Sequence, residues 1–168
     1  MGYETDVFIV GGGPAGLAAG IAARARGFRV IVADGVAPPI TKACGEGLLP
    51  DGLSALRELG VELRKSDGYP LRGIRFEDCG ASVRAEFPTG EGLGLRREIL
   101  HQRMMERAEE CGVTLMWNTP ITGLSEEGVV VGGREIRARW IIGADGSRSR
   151  VRQWSGLDNL TQRRGRSA

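Results

Sequence analysis

The chain has 168 residues, about the size of one domain and enough to bury a core. Aromatic residues are only 5% of it while glycine supplies 27 positions, so the core must be built from Val, Ile, Leu and Ala. A formal net charge of +2 predicts no nucleic-acid partner by itself, and three widely spaced cysteines, Cys44, Cys79 and Cys111, make neither a disulfide framework nor a metal-ligand spacing.

The first apolar run lacks a charged n-region and a cleavage site, so no signal peptide is read there. No apolar run is long enough to span a bilayer. These features imply a soluble, cytoplasmic chain, with peripheral membrane contact left open.

Residues 7–10 read as a buried parallel strand. Gly11, Gly12 and Gly13 follow, then Pro14 and an Ala-rich helical stretch, 15–26, that Gly27 ends. Residues 29–33 read as a second strand and Asp34 closes the unit. Strand, glycine turn, helix, strand and acid form the dinucleotide-binding βαβ pattern. Gly11 allows the tight turn, Gly13 lets a pyrophosphate approach the backbone, and Gly16 lets the helix pack closely on the strand. Pro14 suits the first helical position because its missing N–H would be unpaired there. The free N–H groups of the helix start face the phosphates, helped by the dipole. A carboxylate at Asp34 accepts the adenosine ribose hydroxyls and repels a 2′-phosphate, which favours FAD or NAD over NADP.

Beyond Asp34 the spacing predicts a loop over 35–47 containing TKACGEG, then a short helix over 50–59 stopped by Gly60. Residues 61–96 change character. Ile74, Phe76 and 82–87 alternate around a turn at 78–80, which predicts a hairpin, and Gly90, Gly92 and Gly94 lead into a further extended piece. An amphipathic helix is predicted over 97–111, with Ile99, Leu100, Met104, Ala108 and Cys111 on its apolar face and Gly112 as its stop. A strand at 113–117 precedes a small meander, 121–124, 128–131 and 135–138, with Gly132-Gly133 as a hairpin turn. Residues 140–143 read as the last buried strand, 147–154 as the start of a helix, and the polar end as disordered.

Three of these segments together resemble one family: the flavin-dependent oxidoreductases that include aromatic hydroxylases, flavin halogenases and geranylgeranyl reductases. They are GGGPAGLAAG (11–20) with Asp34, KACGEGLLP (42–50) and IIGADGSRSRVR (141–152). Of these, KACGEGLLP most resembles the geranylgeranyl-reductase branch. The resemblance implies an α/β, Rossmann-like FAD-binding domain with a parallel sheet, a β-meander crossover and a β-rich insertion. Its segments are 1–60 and 97–156 for the FAD-binding domain, 61–96 for the insertion, which is part of a substrate domain, and 157–168 for the tail.

The resemblance also implies roles. Gly11, Gly13, Pro14, Ala15 and Gly16 hold the pyrophosphate end, and Asp34 binds the adenosine ribose. Lys42, Cys44 and Gly45 lie along the cofactor near the flavin, and Arg97 contacts the FAD linker. The backbone of Ile121 pairs with adenine. Gly143, Asp145 and Gly146 steady the cofactor and, in hydroxylases, the incoming nicotinamide nucleotide. NAD(P)H is then the transient reductant, a small organic molecule the substrate, and no metal is implied. The family's downstream ribityl-binding strand, which ends in Gly-Asp, does not occur in this sequence. That departure implies a C-terminally incomplete domain, with weaker FAD affinity and apolar sheet surface left uncovered.

The expected function is an FAD-dependent reductase of an isoprenoid-like C=C bond, on the CGEG loop alone. A flavin monooxygenase, an inactive nucleotide-binding fragment and a NAD-dependent dehydrogenase are the alternatives, although no catalytic constellation for the last is visible. Cys44 reads either as a reactive thiol beside Lys42 or as a small residue in a tight loop. Glu46 reads either as a proton donor or as a first-turn acid of the next helix. His101 reads as a surface or core-edge residue, Cys79 and Cys111 as structural, and Trp117, Trp140 and Trp154 as scattered. Arg163, Arg164 and Arg166 read as a solvated basic end.

Overall fold

A computed structural model describes residues 2–40, 42 and 44–158. The chain divides into two compact units, Met1–Ile40 with Met105–Ala168, and Thr41–Met104. The second unit is wider than the insertion expected over 61–96.

The first unit opens with β1 (Thr5–Val10), whose residues from Val7 to Val10 are all buried. Pro14 starts α1 (Pro14–Arg24), and β2 (Val30–Ala33) follows it. Helix α1 buries Gly16, Leu17, Gly20 and Ile21 and packs on β1 and β2. Full burial of a side chain the size of Leu17 or Ile21 contributes about 1.5–3 kcal/mol. Arg24 closes the helix end: its guanidinium donates to the carbonyls of Phe28 at 2.7 Å and Cys111 at 3.0 Å.

The second unit carries β3 (Gly47–Leu48), α2 (Pro50–Glu58), a 3-10 turn (Lys65–Asp67), β4 (Gly68–Leu71), β5 (Gly73–Asp78), β6 (Ala81–Glu86) and β7 (Gly92–Leu95). Strands β3, β7 and β4 form an antiparallel sheet that the sequence pattern does not reveal, because β3 is two residues long and β4 contains a proline. Strands β5 and β6 form the expected hairpin. Its apolar positions Ile74, Phe76 and Val83 remain exposed.

Helix α3 (Arg97–Glu110) buries His101, Met104 and Ala108, so the inward stripe is turned from the expected one. His101 is 2% exposed, a core residue rather than a surface or core-edge one. Leu100 is only half-buried.

The remaining elements are β8 (Thr114–Met116), β9 (Ile121–Leu124), β10 (Gly128–Val131), β11 (Arg134–Gly143) and α4 (Arg150–Trp154). They complete a six-stranded sheet in the order β8-β2-β1-β11-β10-β9. Strands β8, β2, β1 and β11 are mutually parallel; β10 and β9 return antiparallel as the meander. The two expected strands at 135–138 and 140–143 are one continuous β11. That strand is not wholly buried: Trp140 is 59% and Ile142 38% exposed. Strand β10 pairs with its first part, Arg134 to Arg137, and β1 with its second, Ala138 to Gly143, while α1 packs over β1 and β2. Ile136 and Ala138 of this strand join a buried core with Phe8, Val10, Ala33, Ile121 and Val129, and Ile141 packs against it. Residues 157–158, expected to belong to the polar tail, follow α4 in a turn, with Leu157 N–H donating to the Arg152 carbonyl. The rest of that tail, with Arg163, Arg164 and Arg166, lies outside the described residues.

Candidate functional site

Parallel strands place their C-terminal ends together, and open α/β sheets bind ligands there. In the first unit those ends carry Gly11–Gly13 after β1, Asp34 after β2, Trp117 after β8 and 144–146 after β11.

The turn after β1 is held on both flanks. Gly11 N–H donates to the Ala33 carbonyl at 2.8 Å, and Ala144 N–H donates to the Val10 carbonyl at 2.7 Å. Gly11 has φ +111°, and a Cβ there would lie 2.4 Å from the Ala144 carbonyl oxygen. Only glycine meets both conditions. A Cβ on Gly16 would lie 1.9 Å from the Gly11 carbonyl oxygen, which is the close helix approach expected of that position. Gly13 differs: a Cβ there would meet no atom within 4 Å. The absent side chain therefore leaves space, as a phosphate approach requires.

Gly13 is the N-cap of α1 with Pro14 in the first turn, and that turn has no acidic residue. The N–H groups of Ala15 and Gly16 lie in the first turn, where the helix supplies no acceptor. With the dipole they form a ready anion cradle.

Asp34 is bound to this turn. Its Oδ2 accepts the Gly12 N–H at 2.9 Å and its Oδ1 the Val36 N–H at 3.0 Å. The segment after β8 wraps it further: Asp34 N–H donates to the Met116 carbonyl at 3.0 Å and Thr119 N–H to the Asp34 carbonyl at 2.8 Å. Each carboxylate oxygen keeps acceptor capacity beyond one such bond. Gly12, to which the sequence pattern assigns no task, has one here. A Cβ on it would fall 2.2 Å from Cζ3 of Trp117. Trp117 is thus seated against the glycine turn, a placement that its spacing from the other tryptophans does not reveal. The one signal for this in the sequence is a third glycine where the pattern leaves a free choice.

Asp145 serves α4. Its Oδ1 accepts the Ser149 hydroxyl at 2.6 Å, and its Oδ2 accepts the N–H groups of Arg150 at 2.6 Å and Val151 at 3.2 Å. Burial acts to raise its pKa, but these bonds from Ser149, Val151 and Arg150 outweigh it and hold the carboxyl below the ordinary range. Gly143 makes room for α4, since a Cβ there would come within 2.8 Å of Val151 Cγ1. Gly146 is exposed in the turn that follows. Ile121 is buried in the core and lies on the edge strand β9, in register with Val131 of β10.

Lys42, Cys44, Gly45 and Arg97 belong to the second unit. Cys44 is exposed and its Sγ accepts the Glu46 N–H at 3.4 Å. Glu46 adopts φ +52° ahead of β3, so it is not a first-turn acid of α2; Asp51 takes that place. Arg97 begins α3. Among the described residues no group of His, Cys, Asp or Glu could hold a metal ion, and no helix is long and apolar enough to cross a membrane.

A family model described as an FAD binding domain matches residues 4–167. The chain is 31% identical over 157 residues to menaquinone reductase of Mycobacterium tuberculosis (strain CDC 1551 / Oshkosh), covering 87% of this chain and 38% of the relative. It is 32% identical to digeranylgeranylglycerophospholipid reductase 1 of Methanothermobacter thermautotrophicus, covering 96% and 44%. It is 33% identical to 6-methylpretetramide 4-monooxygenase of Streptomyces rimosus, covering 93% and 42%. The chain thus spans less than half the length of these relatives. In fold it is similar to a flavoprotein/dehydrogenase from Cytophaga hutchinsonii, with TM-score 0.81 at 24% identity, over 90% of this chain and 42% of that one. The glycine turn, the open space at Gly13 and the Asp34 carboxylate bonded to Gly12 fit FAD, and the chain belongs to the FAD-binding-domain family, whose members similar to it include reductases and a monooxygenase.

Proposed function

We propose that this chain supplies the FAD-binding part of a reductase that delivers hydride, by way of flavin, to a small organic substrate of isoprenoid type. The observation that carries the reading is the open approach at Gly13 beside an Asp34 carboxylate bonded to Gly12 N–H at 2.9 Å. The Ala15 and Gly16 N–H groups hold the pyrophosphate, and Asp34 orients the ribose through its remaining lone pairs. The backbone of Ile121 meets adenine, and 143–146 back the cofactor from the end of β11. The resemblance adds Lys42, Cys44, Gly45 and Arg97 as further cofactor contacts. Bound FAD supplies the two-electron chemistry. NAD(P)H is the reductant. The isoprenoid assignment is supported by the CGEG loop (44–47) and the likeness to digeranylgeranylglycerophospholipid reductase 1.

A flavin monooxygenase is the alternative reading, favoured by the likeness to 6-methylpretetramide 4-monooxygenase. The test is the visible spectrum of the protein after incubation with FAD and desalting, followed by anaerobic addition of NADH or NADPH. Retained oxidised flavin that bleaches, then recovers on adding a prenylated acceptor, supports the reductase. Recovery only with oxygen and a phenol supports the monooxygenase. Retained flavin that does not bleach identifies a binding module without turnover. Folded protein with no retained flavin overturns the proposal.

A further inference from the structure

We infer that Trp117 forms the apolar wall of the adenosine half of the site, an inference that rests on the dinucleotide-binding reading above. Three adjacent strand ends meet here, those of β1, β2 and β8, and each contributes one residue: Gly12, Asp34 and Trp117. A Cβ built on Gly12 would lie 2.2 Å from Cζ3 and 2.6 Å from Cη2 of Trp117, and 3.3 Å from Cβ of Asp34. The six-membered ring of the indole therefore fills the side-chain space of Gly12. The same Gly12 donates its N–H to the Asp34 carboxylate. Indole and carboxylate flank one peptide.

The indole is set in place by the chain around it. Met116 accepts the Asp34 N–H, Thr119 N–H donates to the Asp34 carbonyl, and the Thr119 hydroxyl donates to the Trp117 carbonyl at 3.0 Å. Asn118 takes φ +52° to make that turn. Trp117 is nevertheless only half-buried.

The shape of the ligand matches this arrangement. In adenosine the purine hangs from the ribose carbon next to the hydroxyl-bearing pair. With those hydroxyls on Asp34, the nucleoside lies within reach of a ring that touches the same peptide. An aromatic ring beside a purine gains stacking and dispersion contact and needs no hydrogen bond. Asp34 then reads the ribose, and Trp117 supplies the apolar contact with the nucleoside.

The test uses a W140F/W154F background, in which Trp117 is the only indole; both replaced residues are at least one-third exposed. ADP is the probe, because the flavin of FAD would quench by energy transfer alone. ADP is expected to change Trp117 emission saturably, while inorganic pyrophosphate, which lacks adenosine, leaves it unchanged. W117L is expected to raise the ADP dissociation constant at least ten-fold, and W117F, which keeps a ring, less than three-fold. Circular dichroism and the urea midpoint establish that each variant is folded. ADP binding by calorimetry with silent Trp117 emission overturns the inference and leaves the dinucleotide reading standing. So does a folded W117L that binds ADP as the parent does. Folded parent protein that binds neither ADP nor FAD removes both.

Discussion

A methyl group on Gly16 would sit 1.9 Å from the carbonyl oxygen of Gly11, so the first turn of α1 rests directly on the turn that leaves β1. Gly16→Ala is therefore expected to push the helix off the strand, at about 1–3 kcal/mol in urea unfolding. Gly13→Ala is the contrasting change. It meets no protein atom within 4 Å, so the stability loss should be held to the poorer Ala N-cap, about 1 kcal/mol or less. Its methyl would occupy the phosphate approach, and the ADP dissociation constant should rise at least ten-fold by calorimetry.

Asp34 holds the turn with the carboxylate that the proposed function also assigns to the ribose. Asp34→Asn keeps one acceptor but turns an N–H₂ toward either Gly12 or Val36, both of which donate to the native side chain. Hydrogen bonds to a charged group contribute about 1.5–3 kcal/mol, so a loss of that order in stability is expected. Removal of the charge should also narrow the preference for ADP over 2′,5′-ADP. Parallel calorimetric titrations of the two nucleotides measure it.

The carboxylate of Asp145 caps α4 and its pKa is held below the ordinary range. The unfolded chain thus takes up its proton more readily than the folded one. The stabilisation is complete above the unfolded value and is lost as pH falls through the folded one. Asp145→Ala should leave the amides of Arg150 and Val151 without their acceptor. Faster hydrogen exchange at these two positions, with β1 and β2 amides unchanged, is the expected result.

In the second unit Asp67 meets Arg103 in a bidentate pair, both bonds 2.9 Å, and also accepts the Arg64 N–H at 2.8 Å. The Arg103 side chain first, and the Arg64 N–H second, lower the Asp67 pKa to about 2. An unfolded Asp titrates near about 3.9. The pair therefore stabilises the folded state fully above about pH 4, and its contribution fades between about pH 4 and 2. Melting temperature recorded across that range should fall less steeply for Asp67→Asn than for the parent, from a lower starting value.

Much of this protein is legible from near neighbours along the chain. The apolar run 7–10, the glycines that follow, the helix to Arg24 and the acid after β2 are consecutive, and each depends on local turn chemistry or a short period. The hairpin of β5 and β6 and the meander through Gly132-Gly133 are legible for the same reason. Tertiary structure alone decided the rest. It joined 134–143 into one strand because β1 and β10 pair along its length. It buried His101, exposed Trp140, and assembled β3, β7 and β4 from segments too short or too irregular to show a period. It also set Trp117 in the side-chain space of Gly12, from more than a hundred residues along the chain. Such contacts arise from sheet order, and a one-dimensional pattern carries no record of which strand end will lie beside which.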